Sequence, residues 1–333
     1  MLRTAAIRTI DRLTRWRGGR DRLLVLTYHR VLPVGDPLEP DIPDQHTFRQ
    51  LMTALRQDFN VLPLDVALRL QAANQLPAGA VAVTFDDGFA DNATIAWPIL
   101  ESLGLPATFF VATGFLDGGW MFNSGVIEAC RHAPDEHWAT GVPELGELAP
   151  GPVAGRARVV SHCLGKLKYL VPEVRQQRAE QLLHSVGRRM PADLMMTREQ
   201  VARLHAAGAA IGGHTRTHPI LARLAAADAE RDIRDGRGDL EAITGEPPAL
   251  FAYPNGQPGQ DYGVREIAMV RAAGFSAALN TVWGYSDART DRFQIPRVGS
   301  WGRSLLRFSG RLALARARGA EERNMADMKH SDA

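Results

Sequence analysis

The stretch AVAVTFDDGFADN, residues 80–92, decides how this chain is read. An apolar run climbs to Phe85 and stops at two adjacent aspartates and a glycine. Two carboxylates at the mouth of an apolar strand must be solvated, paired or bound to a cation. Helix capping and a turn with Gly88 are the ordinary uses for such residues. Consecutive side chains of an extended strand point to opposite faces, and a turn at the strand end can bring both into one cleft with separate tasks. One aspartate then binds a cation, and the other takes a proton from water that the cation activates.

The same rhythm runs outward from this stretch. LLVLTYH (23–29), ATFFVAT (107–113), AAIGGH (209–214) and ALFAYP (249–254) read as strands, with SAALN (276–280) and FQIPRV (293–298) as weaker ones. Helical patterns fall at 47–57, 64–72, 92–103, 197–208, 223–243 and 263–274. Thr197 with Gln200 makes a capping box, and Gly208 stops that helix. Strands alternating with helices predict parallel strands covered by helices, here an α/β fold in the form of a deformed (β/α) barrel of about seven strands. Active sites of such barrels lie at the C-terminal strand ends. Residues 114–196 break the rhythm and read as an insertion over one rim. Trp120, Phe122 and Trp138 in it read as a small core of its own rather than as platforms for sugar rings.

Bulk properties narrow the function. The 333 residues carry a formal net charge of +2, with 45% hydrophobic and 23% charged residues, an ordinary globular composition that argues against a nucleic-acid partner. Cys130 and Cys163 are too few for a disulfide framework. No apolar run reaches the length of a membrane span, and the arginine-rich start lacks the apolar core of a secretory signal, so the expected location is cytoplasmic. Residues 1–20 and 301–318 read as basic amphipathic helices. They either pack on the domain or make peripheral contact with an anionic membrane surface, as at the inner face of a membrane. The tail after them reads as disordered.

Further polar clusters end other strands: TYHRV at 27–31, GGHTRTHP at 212–219 and AYPNG at 252–256. His214 and His218 stand four apart beside glycines, after an apolar strand. Whether in a helix or a turn, two imidazoles so placed can serve one zinc-like ion. One carboxylate from TFDDG would complete a three-ligand site with an open position for water, the arrangement of catalytic metal centres.

TFDDG, then HTRTHP, then a strand ending in YPNG resembles the polysaccharide deacetylase family, also called the NodB-homology or carbohydrate esterase 4 family. The resemblance spans about residues 21–300, apart from the insertion. It implies a divalent cation, usually zinc, and hydrolysis of an N-acetyl group on an amino-sugar polysaccharide or glycan precursor, as in exopolysaccharide biosynthesis. By position, Asp86 matches the catalytic base, and Asp87, His214 and His218 match the metal ligands. The family's RxPY motif aligns with Ala252, Tyr253, Pro254 and Asn255, which makes the Asn255 N–H an oxyanion donor. Two positions depart from the family. Its arginine that orients the base is replaced by Ala252, and Arg297 in IPRVG is the candidate substitute. Its late-strand histidine is missing, and LTYH (26–29) resembles that motif moved to the front, as in circularly permuted members acting on poly-N-acetylglucosamine. His29 is therefore expected to protonate the leaving amine. Two other readings stay open: a deacylase or deformylase of a lipid-linked sugar or other small amide, and a non-catalytic sugar-binding relative.

Overall fold

The structure, a computed structural model, describes residues 22–299 and 305–317. The expected helix at 1–20 and the chain after residue 317 lie outside the described residues. From the start, strand β1 (Leu24–Tyr28) leads to helix α1 (Gln45–Asp58), short strand β2 (Asn60–Val61) and helix α2 (Leu64–Ala72). Strand β3 (Ala80–Phe85), a π-helical turn at Asn92–Ala96, helix α3 (Trp97–Ser102) and strand β4 (Thr108–Val111) follow. The rim segment then contributes helix α4 (Phe122–His132), a hairpin of β5 (Trp138–Ala139) and β6 (Glu147–Leu148), and helices α5 (Val153–Leu167) and α6 (Pro172–Ser185). The barrel resumes with α7 (Arg198–Ala206), β7 (Ala210–Gly213), α8 (Ala226–Thr244), β8 (Leu250–Ala252), α9 (Val264–Ala272), β9 (Ala277–Leu279) and β10 (Val298–Gly299). Helix α10 (Leu305–Ala317) ends the described chain.

Seven strands run parallel in the order β10-β1-β3-β4-β7-β8-β9, with β2 paired to β3 at one end. Alternation along each strand sorts the core. Leu24, Leu26, Val81, Val83 and Phe85 pack outward against α1, α3 and α7. Their neighbours Val25, Ala80 and Ala82 join Phe110, Ala252 and Ala277 in a second cluster drawn from across the sheet, the inside of the curl. That interior is narrow, and small residues fill it. A Cβ on Gly212 would stand 2.4 Å from the Phe110 ring, so the glycine makes room for that ring.

The curl closes through one irregular segment. Ile295 pairs with Leu279 of β9, and Val298 pairs with Leu26 of β1. FQIPRV is thus regular strand only at its end. Pro296 between the two pairings has no N–H to offer a ladder, which explains the interruption. Arg297 sits at this seam, its N–H donating to the Val282 carbonyl at 2.9 Å.

The rim segment has its own core of Val126, Trp138, Val160, Leu167 and Leu182. Trp138 is buried and donates Nε1–H to Ser185 Oγ at 2.9 Å. Trp120 and Phe122 are only partly buried against it. Helix α10 buries Phe308, Leu312 and Ala315 in the main core beside α1 and β1, so these apolar residues face the barrel. Among the described residues no helix is long and apolar enough to cross a membrane.

Candidate active site

Because the strands are parallel, the polar ends of β1, β3, β7 and β8 meet on one face. Asp86 still extends the β3 ladder, its N–H donating to the Tyr28 carbonyl at 3.0 Å. Asp87 then takes φ +78° and Gly88 φ +91°. A non-glycine residue in that region is uncommon and points to a constrained site. This turn separates the two carboxylates: Asp86 goes to an arginine and Asp87 to two histidines.

Asp87 Oδ1 lies 3.4 Å from His214 Nε2 and 3.4 Å from His218 Nε2. The candidate ligand atoms of the three residues all lie within 4.8 Å of one another. Asp87 Oδ1 is buried and has no hydrogen-bond partner. His214 Nδ1 lies 2.7 Å from the Ala252 carbonyl, and an Nδ1–H donated there leaves the Nε2 lone pair facing Asp87. Two imidazole nitrogens converging on an orphaned carboxylate oxygen fit a divalent cation. Burial alone would raise the Asp87 pKa, but the His214, His218 and His29 imidazoles around it hold the carboxyl well below its usual range. Burial pushes His218 down to about 3, which leaves a neutral imidazole able to ligate. For His214, burial is outweighed by the Asp87 and Asp86 carboxylates, and its pKa rises. The expected result of adding zinc to metal-free protein is a higher melting temperature in calorimetry. At a hundred times Kd the gain is about 2.7 kcal/mol, and Asp87→Ala abolishes it.

HTRTHP forms a loop rather than a helix start, with Thr215 at φ +63° and His218 at φ +50°. Helix α8 holds it in shape. The Asp232 carboxylate accepts the Arg216 and Thr217 N–H groups at 2.8 and 3.0 Å and the Thr217 hydroxyl at 2.6 Å. Gly236, one turn on, lets the helix backbone touch the loop; a Cβ there would stand 2.6 Å from Thr215 C. Sequence reading missed both residues. The only signal was a glycine inside a helical pattern, where it weakens the helix unless packing requires it. Gly236→Ala is expected to destabilise the fold by about 1–3 kcal/mol and to weaken zinc binding with it, as denaturant melts and metal titration would show.

Asp86 Oδ1 accepts a hydrogen bond from Arg297 Nη1 at 2.7 Å, and both side chains are buried. Arg297 is fixed by Nε–H donated to the Asn280 carbonyl at 2.9 Å. Burial pushes the Asp86 pKa up, but Arg297, His214 and His29 together pull it down, and the net shift is downward. The carboxylate is therefore ionised at neutral pH and can accept a proton.

His29 follows β1, exposed, on the wall of a cavity of roughly 180 Å³ shared with Asp87, Glu39, Phe89 and Ile127. Its backbone is tied to the loop after β3. Asn92 Nδ2 donates to the His29 carbonyl at 2.8 Å, while Asp91 accepts from Arg30 Nε at 2.8 Å and the Val31 N–H at 3.2 Å. Asp91 and Asn92 stand in FADN, within the opening motif, but nothing in the sequence marked them as anchors. The YPN residues divide. Tyr253 is buried, its ring stacked on Tyr262 at 3.8 Å between centroids, so its side chain belongs to the core. Pro254 is buried also, and Asn255 makes the turn at φ +60° with its carbonyl accepting from Thr281 Oγ1 at 2.7 Å.

The chain resembles, at the level of fold, the deacetylase PplD of Streptococcus pyogenes, solved in complex with acetate: 17% identity, TM-score 0.58, covering 88% of this chain and 97% of that one. IcaB from Ammonifex degensii is 21% identical at TM-score 0.57, over 90% of this chain and 98% of that one. The BpsB deacetylase domain from Bordetella bronchiseptica is 16% identical at TM-score 0.53, over 84% and 96% of the two chains. A search of curated proteins finds no match. The polysaccharide deacetylase family model matches residues 73–143 and 166–278, more than half of the sequence and including Asp86, Asp87, His214 and His218, and this chain belongs to that family.

Proposed function

We propose that this protein hydrolyses the N-acetyl group of an amino sugar in a polysaccharide or its precursor, with zinc as its metal. The observation that carries the reading is one face on which a buried Asp86–Arg297 pair adjoins the Asp87, His214 and His218 triad. Two imidazoles and a carboxylate suit zinc, which when bound supplies Lewis acidity and lowers the pKa of water. Asp86 accepts the proton of the water whose oxygen adds to the acyl carbon. Arg297 keeps that carboxylate aimed and ionised. The Asn255 N–H, which makes no hydrogen bond among the described residues, donates to the oxygen on which charge develops. The C–N bond then breaks, its electron pair stays on nitrogen, and His29 gives that nitrogen a proton. Acetate and a free amine leave.

Acetate release by zinc-loaded protein on N-acetylglucosamine oligomers and lipid-linked N-acetyl sugars tests the reading. Release is expected; none from any substrate, with zinc shown to be bound, overturns it. His29→Gln is expected to lower kcat on an N-acetyl sugar by about 10²-fold and to cost far less on 4-nitrophenyl acetate, whose leaving group needs no proton. Equal losses on both substrates would remove His29 from the acid role.

A further inference from the structure

A second cavity opens beside His218. Its volume is roughly 370 Å³, and its walls come from His218 and Thr217 on one side and from Trp120, Phe122, Arg175 and Gln176 of the rim segment on the other. That volume lies in the range of small-ligand sites, and a few convergent polar groups among aromatic rings are their usual lining.

Arg175, on α6, is 5% exposed. One N–H, from Nη2, donates to the His218 carbonyl at 2.7 Å, and the guanidinium lies 4.7 Å from the centre of the Phe122 ring. Among the described residues no carboxylate lies within salt-bridge distance of it. Glu173, the acidic residue on the same wall, is exposed. A buried charge normally has a partner of opposite sign, and one bond to a neutral carbonyl does not supply it. A residue kept only to hold that carbonyl would not need a permanent charge. The fork of a guanidinium is suited to a carboxylate or a phosphate. Trp120 is held in place beside it: a Cβ on Gly125 would stand 2.4 Å from the Trp120 ring, so that ring packs on a bare backbone.

We infer that this cavity is a saccharide subsite in which Arg175 binds an anionic substituent, a carboxylate or a phosphate, on the sugar unit next to the one that loses its acetyl group. The inference rests on the deacetylase reading for its orientation but is tested without turnover. Calorimetry on zinc-loaded Asp86→Asn protein would compare three probes: N-acetylglucosamine tetramer, a tetrasaccharide alternating N-acetylglucosamine with glucuronate, and an N-acetylglucosamine oligomer bearing a phosphodiester. At least one anionic probe is expected to bind about tenfold tighter than the neutral one, and which one identifies the source of the charge. Adding Arg175→Gln should bring the ratio of the two affinities close to one. Arg175→Lys, which keeps the charge and loses the fork, should fall between. The ratio is read within each protein, so a general loss of stability does not imitate the result. Equal binding of all probes, binding of none with zinc bound, or a preference that survives Arg175→Gln overturns the inference. An intact preference in a protein that releases no acetate would instead leave the subsite standing and remove the deacetylase reading.

Discussion

Asp86→Asn is expected to lower kcat for acetate release by about 10²–10⁴-fold, the usual contribution of a general base. The substitution is nearly isosteric, and the amide oxygen can still accept the bond that Arg297 Nη1 makes to Oδ1. What it removes is the capacity to take a proton. The neighbouring carboxylate cannot take over, because Asp87 faces His214 and His218 after its turn at φ +78°. Zinc binding, read as the shift in melting temperature, should therefore survive Asp86→Asn and be lost in Asp87→Ala. A variant that keeps wild-type turnover would show that the proton goes elsewhere. A variant that loses zinc would show that the two carboxylates share the cation, contrary to the division of tasks derived from the turn.

The convergence of these motifs on one face was legible before the structure. Strands that alternate with helices predict a parallel sheet, and parallel strands bring their C-terminal ends to one face. TFDDG and HTRTHP therefore meet for a topological reason. Which way a side chain points once the strand has ended is not carried by such patterns. YPN named a place but did not reveal that the Tyr253 ring turns into the core to stack on Tyr262. Asp232 and Gly236 shape the histidine loop from a helix whose pattern looks ordinary, and Arg175 reaches the site from a segment without barrel periodicity. Each acts through a contact between elements far apart in sequence, and residue spacing says nothing about such contacts.

Arg297→Met is expected to cost about 3–5 kcal/mol of stability, the usual consequence of removing one partner from a buried ion pair, with the loss measured in denaturant melts. Arg297 is 1% exposed and spans two parts of the site, Asp86 through Nη1 and the Asn280 carbonyl through Nε. Methionine fills much of the volume but leaves Asp86 as a buried carboxylate without its countercharge. Asp86→Asn with Arg297→Met should recover part of the loss, because the orphaned charge is then gone; the two costs are non-additive, as for residues in direct contact. Activity should follow a different course. Arg297→Met should lose turnover because its base is no longer aimed or held ionised, and the double variant should lose it as well, since no base is left. Stability that recovers while turnover does not is the signature of an arginine that positions the base. The aligned family position is Ala252, buried at the end of β8 inside the curl among Phe110, Ala277 and Leu279. The guanidinium instead arrives from the barrel seam, one residue after Pro296 interrupts the last strand. A double variant no more stable than Arg297→Met would break the link between Arg297 and Asp86 on which that substitution of one arginine for another depends.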